Sequence, residues 1–399
     1  MMAAQVLVLG ANFAGLTVAL EVKARLGDDA DVTVVAPADR FLFNPSLIWV
    51  PFGRRGRTDI TFRLAPTFER HGVHFVQAAA TRVDPEAHLV ETSAGPFRYD
   101  YLVVATGYRN DLDAVPGLRD VPTITTLPDA ERTAVAWREL LERPGDVVIG
   151  ATQGAGCFGA AYEFLFNVAY QLRRAGLHRE VRITYVTAEP FLGHFGIGGM
   201  PGGERLLSMF LRREGITAVT NVAMRSVGDD AVELEDGRVL PYRFAMVVPP
   251  FRGQDFLAAT PGLTDAGGYV PVRPTYQTQQ WDDVYAVGIA AAVPVPWVTP
   301  VPTGLPKTGF PTEQQAHVAA SNVVSQVRGE PPTRTKEFAQ IPAICVMDAG
   351  SNGVALLADR MLPPRRAAVM VPGPQNHAAK LAFERYSLAK MRRGLVRLP

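Results

Sequence analysis

Two cysteines are the residues of this sequence best suited to redox or nucleophilic chemistry. Cys157 follows a β-branched segment, Val147 to Ile149, and a glycine-rich turn, and it begins an apolar stretch predicted to be helical to about Arg174. Backbone N–H groups and the positive end of a helix favour the thiolate, the reactive form of cysteine. Free cysteine is also among the most buried residue types, so position alone leaves a core role open. Cys345 lies far along the chain, and two such residues do not build a disulfide scaffold.

The strand, turn and helix around Cys157 have a counterpart at the amino terminus. There a short strand leads into the turn from Gly10 to Gly15, then into a helix and a second strand that ends at Ala36. This order is typical of a dinucleotide-binding unit, in which Gly10 makes the tight turn and Gly15 lets helix and strand approach closely. Asn12 replaces the usual middle glycine, and Ala36 stands where an acidic residue often contacts the ribose.

A small β-meander and a further strand follow each of the two units. The first meander leads to a buried strand that ends in Ala105-Thr106-Gly107, where glycine lets the backbone approach a ligand. The same order of elements recurs about 140 residues later. We therefore predict an α/β fold with two tandem Rossmann-like dinucleotide-binding domains and a C-terminal segment.

The composition limits the classes of function. The chain has 399 residues, is 47% hydrophobic and carries a formal net charge of +1, which argues against nucleic acid as the main partner. No apolar run reaches the ~18 residues needed to span a bilayer. The amino-terminal residues lack the charged and then apolar order of a secretory signal, so we expect a cytoplasmic location. The histidines show no metal-ligand spacing, and we expect no metal site.

Six short segments of the chain form a distinctive set. They are Asn44 to Gly53, Gly154 to Glu163, Glu189 to His194, Pro306 to Phe310 after Val301-Pro302, Cys345 with Asp348-Ala-Gly350, and Lys380 to Tyr386. Together they resemble the sulfide:quinone oxidoreductase family of disulfide-oxidoreductase-like flavoproteins. The resemblance covers essentially the whole chain, and flavocytochrome c sulfide dehydrogenase shares much of the pattern.

The resemblance implies a division of the chain into three parts. An FAD-binding domain would comprise residues 1–110 and 265–330, and a second, NADH-like domain over 111–264 would carry Cys157. The segment 331–399 would carry Cys345 and lie near the membrane.

By resemblance, the two cysteines form the redox pair of the active site. Sulfide would be oxidised to zero-valent sulfur or polysulfide through Cys157 and Cys345, and the electrons would pass to FAD and then to a quinone. His194 matches a family histidine near the sulfide route or the quinone pocket, although a loop or core role is the alternative. Glu163 would be a general base or, as we favour, one partner of an ion pair.

The resemblance also supplies candidates for binding the cofactor and the quinone. Phe310 and Tyr386 would line the quinone pocket, and aromatic core packing is their alternative role. Lys307, one of five lysines, would stabilise a reduced flavin, unless it is a surface lysine. The residues predicted to bind FAD are Gly10, Asn12, Phe13, Ala14, Gly15, Ala36, Asn44, Thr106, Gly107, Gly288, Lys307, Thr308 and Gly309.

The sequence departs from the family at positions that affect the cofactor. Thr125 stands where a family cysteine would align, so we expect FAD to be bound without a covalent link. Asp129 stands where a family histidine would align. Residues 380–399 are basic and would lie on the inner face of the cell membrane, or would instead pack as an ordinary helix. We also expect a homo-oligomer.

Two other functions remain open at this point. A single-subunit NADH:quinone oxidoreductase would need a working nucleotide turn at residues 150–156, and that turn lacks two of the usual three glycines. Glu189 could still hold a ribose. A flavin-binding or persulfide-carrying protein that docks to a cytochrome is the third hypothesis.

Overall fold

The helices and strands of the chain follow the predicted order, with two Rossmann-like units and a C-terminal sheet. A computed structural model describes residues 3–306 and 308–398. The strands are β1 (Ala4–Leu9), β2 (Ala30–Ala36), β3 (Arg40–Leu42), β4 (Thr61–Arg63), β5 (His74–Gln77), β6 (Ala80–Asp84), β7 (Leu89–Thr92), β8 (Gly95–Arg98), β9 (Tyr101–Val104), β10 (Arg109–Asn110), β11 (Val147–Ala151), β12 (Ile183–Thr187), β13 (Thr217–Val219), β14 (Met224–Val227), β15 (Ala231–Leu234), β16 (Val239–Pro241), β17 (Phe244–Val248), β18 (Phe251–Arg252), β19 (Val284–Ala286), β20 (Ala343–Asp348), β21 (Gly353–Ala358) and β22 (Ala368–Pro372). The α-helices are α1 (Phe13–Leu26), α2 (Arg57–Ile60), α3 (Ala65–Arg70), α4 (Leu127–Glu142), α5 (Phe158–Arg174), α6 (Gly203–Arg213), α7 (Asp255–Ala258), α8 (Gly309–Val327) and α9 (Gln375–Arg393).

The first parallel sheet has the strand order β19-β9-β1-β2-β5. Its strands are nearly continuous apolar runs because both faces are covered, and α1 and α8 pack against each other on one of them. Leu9 at the end of β1 is level with Val104 of β9, and Val104 is level with Ala286 of β19. This register brings the turns that follow these three strands to one edge of the sheet, where α/β proteins bind their ligands.

The second parallel sheet has the order β13-β12-β11-β17. Ala151 at the end of β11 is level with Thr187 of β12 and Val248 of β17. The turn that leads to Cys157 therefore lies beside the segments that follow β12 and β17.

The C-terminal residues form an antiparallel sheet, β20-β21-β22, followed by α9. Met347 of β20 packs in the core of the second parallel sheet, whereas Met391 of α9 packs in the core of the first. The C-terminal part of the chain thus joins both cores. The domain limits given above stay a prediction.

The helix α9 reverses the usual amphipathic arrangement. It buries polar and charged side chains, namely Lys380, Glu384, Ser387 and Lys390, and exposes Ala378, Ala379, Ala382, Phe383 and Tyr386. Each of its three buried charges is paired with a different part of the chain.

The buried charges of α9 form short ion pairs. Lys380 contacts Glu163 of α5 at 2.7 Å, and Lys390 contacts Glu313 of α8 at 2.7 Å. Glu384 accepts hydrogen bonds from Arg55 at 2.8 to 3.0 Å and from the Ser46 hydroxyl at 2.5 Å. Ion pairs therefore take the place of much of the apolar contact that would ordinarily hold a helix of this length. Among the described residues, none of the helices is both long and apolar enough to cross a bilayer.

Replacing Glu384 should test how strongly these pairs hold α9. Glu384→Ala leaves the half-buried Arg55 and the buried Ser46 without their acceptor, and we expect a loss of roughly 2–3 kcal/mol in the free energy of unfolding. The neighbouring Arg385 is exposed, so Arg385→Ala is the matched control, with an expected change within about 0.5 kcal/mol. Denaturant unfolding followed by circular dichroism measures both. Equal effects of the two substitutions would show that the Glu384 contacts do not hold the helix.

Candidate active site

The amino-terminal glycine turn forms a close cradle at the edge of the first sheet. Gly10 has a φ of 101°, and a Cβ there would lie 2.3 Å from the carbonyl oxygen of Ala105. A Cβ on Gly15 would lie 1.8 Å from the carbonyl oxygen of Gly10. Both positions therefore require glycine, as the sequence predicted, and they bring the start of α1 against the Ala105-Thr106-Gly107 turn.

Other predicted cofactor residues gather around this turn. A Cβ on Gly288 would lie 3.3 Å from the Cβ of Ala14, and one on Gly309 would lie 3.7 Å from the Phe13 ring. The starts of α1 and α8 thus converge on the same edge. Two further residues were predicted to bind the cofactor. Thr308 is the N-cap residue of α8, and Lys307 lies outside the residues that the structure describes.

Two polar atoms in this region are buried without a hydrogen-bond partner. They are Thr106 Oγ1 and Asn12 Oδ1, for which residues 3–306 and 308–398 supply no partner. The Asn12 amide nitrogen donates to Asn44 Oδ1 at 3.1 Å, so these two predicted residues do contact each other. Buried polar atoms normally find partners, and their absence here fits a site that holds a polar ligand. Ala36 is buried at the end of β2, beside the turn.

Cys157 is the N-cap residue of α5, where the sequence predicted it. Its side chain is half-buried, and its sulfur lies at the start of α5, near the backbone N–H groups of Gly159 and Ala160. Burial raises the pKa of the Cys157 thiol, whereas the Ala160 N–H and the charge of Lys380 act in the opposite direction.

Cys345 lies in the middle of β20, on the strand that packs against α5. Its side chain has access to solvent. The protein atoms packed around the sulfur nevertheless reduce its solvation, and this raises the pKa of the thiol to about 12. Lys380 lowers the pKa of Cys345, and Glu163 and Cys157 raise it. Both thiols lie close enough to Glu163 and Lys380 for these charges to shift the thiol pKa values, and β20 packs on α5 with the Asp348 N–H on the Glu163 carboxylate. The structure therefore brings Cys157, Cys345, Glu163 and Lys380 together, and these four residues define the redox recess.

The Glu163 carboxylate has an ion-pair partner that the sequence reasoning missed. Its Oε1 accepts hydrogen bonds from Lys380 Nζ and from the backbone N–H of Asp348, each at 2.7 Å. Burial raises the pKa of Glu163, and the charge of Lys380 opposes this. Burial alone would lower the pKa of Lys380, but Glu163 raises it above its usual value. The structure thus has the ion pair rather than a free general base.

Lys380 and Asp348 are functional candidates that were not selected from the sequence. Lys380 lies in a basic segment and resembles a solvent-exposed residue, although lysine is scarce in this chain. Asp348 is buried at the end of β20, and its side chain accepts from Trp49 Nε1 at 2.8 Å. An acidic residue directly after an apolar strand was the available signal for Asp348.

His194 lies in the loop that follows β12. Its ring is buried against Trp297, at 4.9 Å between ring centroids, and burial lowers its pKa. Its Nδ1 has no partner among the residues that the structure describes. The proposed role of His194 in proton transfer stays a prediction.

The two predicted quinone-pocket residues lie on different helices. Phe310 is half-buried in the first turn of α8, and Tyr386 is on the exposed side of α9. Phe383, which the prediction did not include, is also exposed on α9, with its ring 5.7 Å from that of Phe43. A shared pocket stays a prediction.

The glycine turn of the second unit is filled by the chain itself. The N–H groups of Gly154 and Gly156 donate to the carbonyls of Pro302 at 2.7 Å and Pro249 at 3.1 Å. Those of Thr152 and Ala155 donate to Val248 at 3.2 Å and to the Thr152 carbonyl at 3.1 Å. These amides are therefore not free to bind a pyrophosphate.

Glu189, which could have held a ribose, is also occupied. Its carboxylate is buried and accepts from the Tyr162 hydroxyl at 2.9 Å, from Thr187 Oγ1 at 2.9 Å and from the Phe195 N–H at 2.6 Å. Burial raises its pKa to about 7. Glu189 thus holds the loop of His194 in place.

The charged pair should tune the reactivity of Cys345 in opposite directions. Lys380→Met should slow alkylation of Cys345 by iodoacetamide, because the charge that lowers its pKa is lost. Glu163→Gln should accelerate it by roughly threefold or more, about half a pK unit. The measurement is the rate of labelling of the Cys345 peptide in reduced holoenzyme at mildly alkaline pH, by mass spectrometry. Lys336→Met, at a lysine remote from the recess, serves as the control, and changes of the same sign in both variants would contradict the assignment.

Comparison with known proteins identifies the family of the chain. The family described as pyridine nucleotide-disulphide oxidoreductase matches residues 4–321. The chain is 34% identical over 400 residues to a sulfide-quinone reductase of Aquifex aeolicus, with 98% of this chain and 92% of the relative covered. It is 24% identical over 400 residues to a type II NADH:quinone oxidoreductase of Staphylococcus saprophyticus, with 92% of each covered.

A solved structure gives the same result. The X-ray structure of the sulfide:quinone oxidoreductase from Aquifex aeolicus matches with a TM-score of 0.93 at 34% identity, over 98% of this chain and 92% of that chain. The chain therefore belongs to the pyridine nucleotide-disulphide oxidoreductase family and, within it, to the sulfide:quinone oxidoreductases.

Proposed function

We propose that the protein oxidises sulfide to zero-valent sulfur or polysulfide and passes the electrons through FAD to a quinone. The observation that carries this proposal is the shared recess of Cys157 and Cys345, with the Glu163–Lys380 pair beside both thiols. Membership of the family and the similarity to a sulfide-quinone reductase support it.

The residues at the edge of the first sheet fit an FAD. The tight turn from Gly10 to Gly15 and the unpartnered Thr106 Oγ1 and Asn12 Oδ1 would hold it. Bound FAD would accept an electron pair from the sulfurs and transfer it to the quinone. At the position where a covalent link would form, Thr125 is buried and its hydroxyl donates to Asn110 Oδ1 at 2.9 Å, so we infer that FAD is held non-covalently.

Both cysteines are free thiols in this structure. The step on them would start from a bond between their sulfurs, which forms when the two thiols give an electron pair to bound FAD and release their protons. Hydrosulfide attacks the accessible Cys345 sulfur, the S–S bond breaks, and a persulfide on Cys345 and a thiolate on Cys157 result. The incoming sulfur is oxidised from the level of sulfide to that of a persulfide, and the Cys157 sulfur is reduced by the same amount to a thiolate, so this step needs no further oxidant. Cys157 is the better leaving group because the N-terminal end of α5 favours its thiolate, whereas burial raises the pKa of Cys345 to about 12.

The complete reaction balances on the quinone. Hydrosulfide loses two electrons and one proton as its sulfur becomes zero-valent, and the quinone takes up two electrons and two protons, of which the second comes from solvent. Glu163 and Lys380 are the buried charged groups beside the thiols, and each holds its partner in the ionised form. The charges of the pair stay the same while the charge on the cysteine sulfurs changes at each step.

The geometry favours sulfide over NADH as the electron donor. A pyridine nucleotide would have to displace the carbonyls of Pro249 and Pro302 from the second glycine turn and to open the buried Glu189 cluster. Both would leave buried polar groups unpaired, which costs about 1–3 kcal/mol for each group. The hypothesis of a persulfide carrier that docks to a cytochrome differs from our proposal in lacking turnover with quinone.

Anaerobic stopped-flow spectroscopy should separate these functions. We expect sulfide to bleach the oxidised flavin absorbance of the holoenzyme within seconds and NADH to leave it unchanged. Cys345→Ser should slow the sulfide reaction by at least about 100-fold, because the persulfide has no sulfur on which to form. Addition of a soluble quinone analogue should restore the oxidised spectrum.

The opposite results have clear meanings. Bleaching by NADH but not by sulfide would move the protein to the NADH:quinone oxidoreductases. Bleaching by sulfide without reoxidation by quinone would favour the cytochrome-docking hypothesis. A cysteine-independent reduction, equal in wild type and in Cys345→Ser, would contradict the relay.

We infer in addition that the C-terminal residues contact an anionic membrane surface. Leu395 and Leu398 are exposed, and the basic side chains near them are exposed while Glu384 is buried. The exposed basic residues are Arg385, Arg392, Arg393 and Arg397. A location on the inner face of the cell membrane and a homo-oligomeric state remain predictions.

Sedimentation with vesicles tests this contact. The holoenzyme should bind phosphatidylglycerol-containing vesicles and not phosphatidylcholine vesicles. Leu395→Ser/Leu398→Ser should weaken the binding by roughly 100-fold, since each buried leucine contributes about 1.5 kcal/mol and the two together about 3 kcal/mol. The control is Val135→Ser/Leu141→Ser, at exposed apolar positions of α4. Equal loss in both double variants, or equal binding to both vesicle types, would refute the contact.

A further inference from the structure

Asp348 links the redox recess to a polar cluster on its far side. The residue is buried at the end of β20, on the strand of Cys345, and its backbone N–H donates to Glu163 Oε1 at 2.7 Å. Its carboxylate Oδ2 accepts from Trp49 Nε1 at 2.8 Å and from the Gly350 N–H at 3.1 Å. The orientation of this one residue therefore fixes where the Glu163 carboxylate can sit.

The other oxygen of Asp348 faces His377 in the first turn of α9. His377 Nδ1 lies 2.5 Å from Asp348 Oδ1, and His377 Nε2 lies 3.2 Å from Arg54 Nη2. A guanidinium group has only donors, so Nε2 must be the acceptor in its contact with Arg54. The proton of the neutral ring then lies on Nδ1, which donates to the Asp348 carboxylate.

Arg54 is itself fixed in this arrangement. Its guanidinium donates to the Gly350 carbonyl at 3.2 Å and lies 5.6 Å from the centre of the Trp49 ring. The four side chains Trp49, Arg54, Asp348 and His377 thus form a closed ring of contacts. His377 is the one imidazole among these four side chains, and it is partly exposed. It takes no part in the reaction proposed above.

We propose that His377 is a positioning residue for the Glu163–Lys380 pair, held as the Nδ1–H tautomer by Arg54 and acting through Asp348. Loss of the Nδ1–H donor frees the Asp348 carboxylate on one side and loosens the backbone N–H that contacts Glu163. The inference rests on the proposed function for its purpose, which is to keep the charges beside Cys157 and Cys345 constant. Its test does not use sulfide or quinone.

Three substitutions separate positioning from packing. In His377→Asn the side-chain amide places an N–H donor near the position of Nδ1, whereas His377→Gln carries its amide nearer to the position of Nε2. His377→Leu removes the donor. The readout is the rate of Cys345 alkylation in reduced holoenzyme, because Glu163 raises the pKa of that thiol and the Asp348 N–H favours the ionised form of Glu163.

We expect the labelling of Cys345 to follow the donor. His377→Leu and His377→Gln should accelerate alkylation by roughly twofold to threefold, in the direction of Glu163→Gln, and His377→Asn should keep the wild-type rate. In a Glu163→Gln background, His377→Leu should have no further effect. Equal rates in all three His377 variants, or an unchanged additional effect in that background, would overturn the proposal.

The tautomer can be observed in the wild-type holoenzyme, and of the three variants only His377→Asn has to fold, for the assignment. Nitrogen-15 NMR of histidine-labelled protein distinguishes the two neutral tautomers and the imidazolium, and the signal that His377→Asn removes identifies His377. We expect the Nδ1–H form. The Nε2–H form, or a ring protonated on both nitrogens at neutral pH, would overturn the proposal, and a failure of the sulfide reaction would leave this result unaffected.

Discussion

The ion pair between Glu163 and Lys380 constrains the proposed active site around the two cysteines. Both charged side chains are buried, which costs solvation free energy. Each offsets this cost for the other because the two lie within hydrogen-bond distance. Since Glu163 belongs to α5 and Lys380 to α9, neither helix can shift without leaving an unpaired buried charge, at a cost of about 3–5 kcal/mol. β20 lies between them and is tied to the same carboxylate, so the position of Cys345 relative to Cys157 follows from this pair.

The two glycine turns show how one motif can serve opposite purposes. The turn at Gly10 stays open, and polar atoms beside it lack partners within the described chain. The turn at Gly154 has the same strand and helix around it, but prolyl carbonyls accept its N–H groups. The difference does not arise from the turn sequence alone, because Pro302 comes from a distant segment that folds over it.

This contrast explains what the sequence could and could not predict. The Rossmann-like units and the place of Cys157 followed from apolar runs and glycines, which act locally. The meeting of Cys157 with Cys345 came from the family resemblance, because no local rule connects residues so far apart. Lys380 was missed because its segment has the composition of a solvent-exposed helix, and only the tertiary packing turns that side inward. Lys307 lies outside the described residues.

The reversed helix α9 would have a consequence at the lipid surface that we propose for the C-terminal residues. Apolar contacts hold a helix less strongly when the helix can contact hydrocarbon instead, since lipid tails are as apolar as leucine. The attachments of α9 are charged, and lowering the surrounding dielectric constant strengthens the attraction between opposite charges. Contact with a bilayer would thus tighten this helix onto the body of the protein, and the same event that brings the enzyme to its hydrophobic acceptor would stiffen the wall of the recess in which sulfur is oxidised.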